Sequence, residues 1–292
     1  NQTGVGHNVV HSSNLCTEIV EVTSSAETAV CNLGSINLAR YVDKGEFDFK
    51  KLAANVEMAV RYLDRVIDTN FYPIPGAEAS NQRWRPVGLG LMGLQDLAFQ
   101  LRLPFDDPKM KSLSRDIQEE IYFHALWASC ELAQQFGPHP AFSETRAAQG
   151  ILQWKSWGIE PKDEERWDGL VERIKTTGLR NSLLIAIAPT ATIASITGAY
   201  ECVEPQISNL FKRETLSGDF MQVNRYLISE LKALGKWNQE TRDQIKLAEG
   251  SIQGMPGIPD EVRAIYRTVW EIPMRSLIDM AVDRGPFIDQ GQ

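Results

Sequence analysis

Across 292 residues the chain has only four cysteines, Cys16, Cys31, Cys130 and Cys202. None form a Cys-x-x-Cys pair, which argues against a structural zinc site, and the density is too low for a disulfide-stapled secreted domain. Four histidines, His7, His11, His124 and His139, show no metal-site spacing, so no metal is expected in this chain. No apolar run approaches the ~18 residues of a membrane span. Residues 1–10 lack the charged-then-apolar pattern of a signal peptide. The net charge is −8 and no basic patch stands out, which speaks against a nucleic-acid polymer as partner. A Gly-x4-Gly-Lys phosphate loop is also missing. What remains is a globular composition, 43% hydrophobic and 23% charged, expected to sit reduced in the cytoplasm with free thiols.

Long helical patterns alternate with short apolar runs, which predicts an α/β fold with a largely parallel sheet or barrel. Leu52, Val56, Val60, Leu63 and Ile67 recur on one face and predict a helix over 49–69. A second, longer helix is expected over 108–136, burying Leu113, Ile117, Ile121 and Leu126. Residues 86–94 (PVGLGLMGL) and 183–188 (LLIAIA) read as buried strands, the latter the cleanest in the chain. Residues 28–38 suggest another strand running into a turn or helix start. Residues 70–81, with Pro73, Pro75 and Gly76, read as a loop. The mixed segment 137–180 offers Phe142, Trp154, Trp157 and Trp167 as apolar anchors. Helices are expected over 219–235, 239–249 and 259–283. No linker composition divides the chain.

Three segments bear on chemistry. Asn14, Cys16 and Glu18 lie two residues apart, so in an extended strand an amide, a thiol and a carboxylate would share one face. Such a set suits thiol chemistry with a nearby base; the plain alternative is an edge strand with a buried free cysteine. Cys31 follows in the next apolar run and would face the same cavity if the two strands are neighbours. Cys130 and Cys202 read as structural. The third segment is the Pro189–Thr192 run after LLIAIA, a hydroxyl-rich turn into a helix. It suits phosphate, or else Thr190 or Thr192 is simply a helix cap. Gly88, Gly90 and Gly93 match G-x-G-x-x-G in letters, but apolar residues between them and the lack of a suitably placed acid argue against a dinucleotide site.

Taken together, Ser13–Ile19 (SNLCTEI), Ala29–Leu38 (AVCNLGSINL), Arg85–Asp96 (RPVGLGLMGLQD), Pro189–Thr192 with Glu201–Pro205 (ECVEP), and Phe287–Gln290 (FIDQ) resemble the catalytic core of the ribonucleotide reductase large (alpha) subunit. These motifs run in family order across nearly the whole chain. The resemblance implies a ten-stranded α/β barrel of two half-barrels with a central finger loop and long flanking helices. Residues 1–292 would be part of that barrel domain, without the family's upstream half and C-terminal tail. It implies an enzyme that reduces ribonucleotides to 2′-deoxyribonucleotides by a thiyl-radical route. Cys16 would be the thiyl site, Glu18 the base for the 3′-hydroxyl, and Asn14 a hydrogen-bond partner of the ribose. Cys31 would be one of two reducing cysteines, its partner lying upstream of the segment given. Ser13 and Thr190, Ala191, Thr192, Ile193 and Ala194 would bind substrate, expected to be a ribonucleoside diphosphate. No cofactor is expected within the chain. The wording looks like class I, in which a separate metal-containing beta subunit supplies the radical and thioredoxin or glutaredoxin the electrons. The adenosylcobalamin-dependent class, and a non-catalytic piece that only assembles with its complement, are the alternatives. None of the seven tyrosines are adjacent, so the family's paired-tyrosine relay is missing, and the segment is expected to be inactive alone.

Overall fold

The structure is a computed structural model that describes residues 1–3, 8–215 and 218–292. In chain order its elements are β1 (Asn32–Asn37), β2 (Val42–Asp43), β3 (Glu46–Phe47), α1 (Phe49–Thr69), α2 (Pro75–Trp84), β4 (Val87–Met92), α3 (Leu94–Gln100), α4 (Pro108–Phe136), α5 (Gln153–Ser156), α6 (Glu164–Thr177), α7 (Ala191–Thr197), β5 (Leu210–Thr215), β6 (Gly218–Val223), α8 (Arg225–Ala233), α9 (Gln239–Leu247), α10 (Asp260–Ile265) and α11 (Met274–Arg284).

The two long helices form where their periodicity predicts. Asp48 caps α1 by accepting from the Lys51 N–H at 2.9 Å. Asp107 does the same for α4, whose first residue is Pro108, a position where the missing N–H costs nothing. α1 buries Leu52, Val56, Val60 and Ile67, and α4 buries Ile117, Ile121 and Leu126, in one shared core. Leu63 and Leu113 pack at its edge, half-buried. Trp154 and Trp167 are buried anchors of that core, whereas Trp157 is exposed.

Between the helices and the site runs a buried parallel seam. β1 pairs with β4 from Asn32↔Val87 to Asn37↔Met92. On the far side of β4 lies the 183–188 segment, joined by a parallel bridge at Leu89↔Ile185. Gly88 and Gly90 set the closeness of these three staves. A Cβ on Gly88 would meet Leu33 at 2.5 Å and the Cys31 Sγ at 2.9 Å, and one on Gly90 would meet the Ala186 carbonyl oxygen at 2.7 Å. The glycines therefore serve close packing, which is why the dinucleotide letters carry no dinucleotide meaning.

Several expectations need correction. Segment 183–188 is buried but forms no regular ladder. Val87 N–H donates to Leu183 O and Leu89 N–H to Leu184 O, an uneven step, while the Leu184 and Ile185 N–H groups go to the Asp289 carboxylate. The expected loop over 70–81 ends early, because Pro75 opens α2 instead of breaking it. The first part of 219–235 is β6, hairpinned with β5, and Asn224 then caps α8 with two accepted bonds. The expected helix 259–283 splits into α10, which ends at Ile265, and α11, which begins after Pro273. α8, α9 and α10 bury Leu227, Leu231, Ile245, Val262 and Ile265 in a smaller second core with Phe99.

Candidate active site

Residues 13–19 form a tight finger, not a strand. Thr17 has φ of +65°, and its N–H donates to the Asn14 carbonyl at 3.2 Å. The Ser13 hydroxyl donates to Ile19 O at 2.6 Å, and the Ile19 N–H donates to Asn14 Oδ1 at 3.1 Å. These bonds draw the two ends of the finger together and push its tip outward. Leu15 is 97% exposed, Cys16 is exposed, and Glu18 is buried at 3%. So the two-residue alternation fails: a left-handed residue between the thiol and the carboxylate reverses the face. The Asn14 Oδ1 is engaged inside the finger, which leaves its Nδ2 out of that bond. One Glu18 oxygen, Oε2, is buried without a partner among the described residues. A cavity of about 570 Å³ lies beside the finger base, lined by His11, Ser13, Asn14, Ile19 and Thr23 among others.

The finger is tied to the seam by the last segment of the chain. Gly291 N–H donates to Glu18 O at 2.9 Å, and the Ile187 N–H donates to Gly291 O at 3.0 Å. Val20 N–H donates to Gln290 Oε1 at 3.2 Å. The other end of that amide donates to Val87 O at 3.1 Å and reaches the Cys31 Sγ at 3.7 Å. A Cβ on Gly291 would lie 2.4 Å from the Thr17 carbonyl oxygen, so only glycine permits this approach. The Asp289–Gly291 segment is thus the clamp that joins finger, Cys31, β4 and the 183–188 stave.

Burial governs the charges here. Asp289 is fully buried and its carboxyl is pushed up to about 7, even though the Ile185 and Leu184 N–H groups favour the anion. Glu21, 4% exposed, is likewise raised to about 7 by burial. The Cys31 thiol is raised well above its usual range, first by burial, then by the Glu21 charge beside it. Cys130 in α4 is buried and pushed up to about 12, which suits an inert core thiol. Cys202 is buried as well.

The Thr190–Ala194 turn leads out of the 183–188 stave. Thr190 is buried with φ of +57°, and its Oγ1 accepts from the Cys202 N–H at 2.9 Å. It therefore locks the 201–205 motif to the turn, and its side chain caps no helix. Ala194 is buried, whereas Ala191, Thr192 and Ile193 are exposed at the start of α7. Ile187, bonded to Gly291, lies three residues before Thr190, so the finger and the turn share one backbone network.

Glu21 and Gly291 carried no signal in the sequence as site residues, and Asp289 and Gln290 were visible only as letters in a motif without a role. Among the described residues no group of three or more His, Cys, Asp or Glu side chains is arranged to hold a metal, and no helix is long and apolar enough to cross a membrane. His7 lies outside the described residues.

The model of the ribonucleotide reductase barrel domain matches residues 1–292. This chain belongs to that family. Among curated ribonucleotide reductases, it is 47% identical to the ribonucleoside-diphosphate reductase large chain of Schizosaccharomyces pombe, over all of this chain and 36% of that one. It is 46% identical to the large subunit of Variola virus, over all of this chain and 38% of that one. The Danio rerio large subunit is 47% identical over 96% of this chain and 35% of its own length. The chain thus spans little more than a third of the curated relatives it matches. Among solved structures, the class Id ribonucleotide reductase alpha subunit of Actinobacillus ureae superposes with a TM-score of 0.75 at 28% identity, covering 98% of this chain and 47% of that one.

Proposed function

We propose that this chain is the catalytic core segment of a ribonucleoside-diphosphate reductase large subunit, working within a longer barrel in the cytoplasm. The observation that carries the reading is the Asp289–Gly291 clamp, which gathers the Cys16 finger, Cys31 and the stave leading to Thr190 into one bonded network. In this reading Cys16, as a thiyl radical, takes the 3′-hydrogen of the ribose. Glu18 accepts the 3′-hydroxyl proton, a role suited to a buried carboxylate with an unpartnered oxygen. Asn14 donates its amide N–H groups to the ribose hydroxyls. Cys31 and a second cysteine supply two hydrogen atoms and join as a disulfide, while the 2′-hydroxyl leaves as water. Ser13 and the Thr190–Ala194 turn hold the diphosphate. Cys16 stands exposed at its turn, so the water-free surroundings a thiyl radical needs come from the remaining length of the subunit.

The radical is supplied by a separate metal-containing small subunit, and thioredoxin or glutaredoxin restores the dithiol. The relatives' designation as large chains or subunits supports the two-subunit arrangement. The test is ribonucleoside diphosphate reduction by the chain alone, then with the complementary large-subunit segments and a metal-radical small subunit. Turnover only in the full mixture, abolished by Cys16→Ser, is expected. Turnover that requires adenosylcobalamin in place of the small subunit would overturn the class I assignment, and turnover that survives Cys16→Ser would overturn the role of Cys16.

A further inference from the structure

Cys31 poses a chemical problem. A thiol reacts in disulfide chemistry through its thiolate, and burial opposes the thiolate. Cys31 is set between Gly88, which leaves room for its sulfur, and the Gln290 amide. Its proton must go somewhere when the sulfur reacts. Glu21 also interacts with its sulfur; it is 4% exposed, and neither of its oxygens completes a well-formed hydrogen bond among the described residues. A buried carboxylate left without donors is costly, and such groups call for an explanation in function.

We propose that Glu21 is the proton partner of Cys31, relaying its thiol proton toward the substrate as the sulfur enters a disulfide and delivering a proton from the incoming dithiol when that disulfide is reduced. This rests on the reading of Cys31 as a reducing thiol. On oxidation two S–H bonds break and one S–S bond forms with a second cysteine. The two electrons pass to the ribose, whose 2′-hydroxyl leaves as water, and Glu21 takes up the Cys31 proton on its way. On re-reduction an external dithiol attacks the other sulfur. The S–S bond breaks with its electron pair on Cys31, Glu21 hands that thiolate a proton released by the attacking thiol, and the dithiol's second thiol then frees the other cysteine with its own proton.

The surroundings suit this exchange. The groups that bear on Cys31 are Glu21 from the loop after the finger, Asp289 and Gln290 from the clamp. Both carboxylates disfavour the thiolate and the Gln290 amide favours it. No cation among the described residues offsets the burial of Glu21, and the Cys31 thiol is the polar group that favours its charged form. A carboxyl that titrates at about 7 both accepts and gives a proton near neutral pH.

The test is steady-state turnover of the reconstituted enzyme from pH 6 to 9, at dithiothreitol low enough that disulfide reduction limits the rate. Glu21→Gln is expected to lower turnover on the order of 10²-fold and to flatten the pH profile near 7. Glu21→Asp is expected to recover part of the rate and keep the inflection. Thermal melting of Glu21→Gln no lower than wild type at pH 8 establishes that the variant folds. A wild-type profile in Glu21→Gln, with Cys31→Ser inactive, overturns the proposal alone. A uniform loss at every pH, with Asp no better than Gln, marks a structural role and also overturns it. Full activity in Cys31→Ser removes the redox reading, and the proposal with it.

Discussion

The α1–α4 pair and the loop from Ser13 to Cys31 are ordered in opposite ways. The helices hold their shape through regular backbone bonds and a shared apolar face, with caps at Asp48 and Asp107. The loop has no regular element and is held by a few specific bonds: three within the finger, then Val20 to Gln290 and Gly291 to Glu18 outside it. One region rests on a repeating pattern and the other on individual partners. The difference teaches that the candidate site sits where a handful of bonds decide geometry, carried on a base where many contacts share the load.

The sharpest way to break the comparison is to alter chemistry without structure. Cys16→Ser, at an exposed turn, is expected to abolish deoxyribonucleotide formation in the reconstituted enzyme while changing unfolding free energy by no more than about 0.5 kcal/mol. Denaturant unfolding beside a reduction assay checks both. The converse change strikes the base. Arg85 is buried, with its Nε 3.0 Å from Asp64 Oδ1 and its guanidinium 2.8 Å from Asp68, and Asn181 Nδ2 also donates to Asp64 at 2.9 Å. Asp64→Ala leaves that arginine short of its buried counter-charge and is expected to cost about 3–5 kcal/mol by urea unfolding.

A milder probe joins the two regions. Gly88→Ala puts a methyl against Leu33 and Cys31, so overpacking of about 1–3 kcal/mol is expected, with altered alkylation of Cys31 read by mass spectrometry. Unchanged stability and unchanged Cys31 reactivity would show that the seam yields more easily than its spacing implies. The smallest effect is in pH dependence. Glu21 titrates at about 7 when folded, against 4.5 as its ordinary value. Between those values the folded state holds the extra proton, so its contribution to stability is present below about 4.5 and is lost as pH rises through about 7. Glu21→Gln should therefore gain in melting temperature relative to wild type between pH 5 and pH 8. A constant difference across that range would refute the buried titration.

Legibility in the sequence followed the same division. α1 and α4 were readable from the period of their apolar residues, and the structure adds the caps that fix their starts, Asp48 before Phe49 and Asp107 before Pro108. β4 was readable as a buried apolar run. The Asn14–Cys16–Glu18 triplet was readable as a chemical set but not as a geometry, because Thr17 adopts a left-handed conformation that no neighbour in sequence demands. The 183–188 run looked like a complete strand, yet the Asp289 carboxylate takes two of its N–H groups. Glu21 was invisible because its burial is decided by residues far along the chain. The motif resemblance supplied roles for Cys16, Glu18 and Cys31 that periodicity alone left open.

The clamp has a consequence in time. Val20 and Gln290 are 270 residues apart, and the bond between them closes a loop of nearly the whole chain. Contacts of such separation form late, after local helices have collapsed. During synthesis α1 and α4 have their partners in hand long before Gln290 leaves the ribosome. The finger must therefore wait, unanchored, while the rest of the seam assembles around it. The thiol loop is anchored only once Gln290 and Gly291 have been made, and a chain that stalls before them leaves Val20 and Glu18 without these partners.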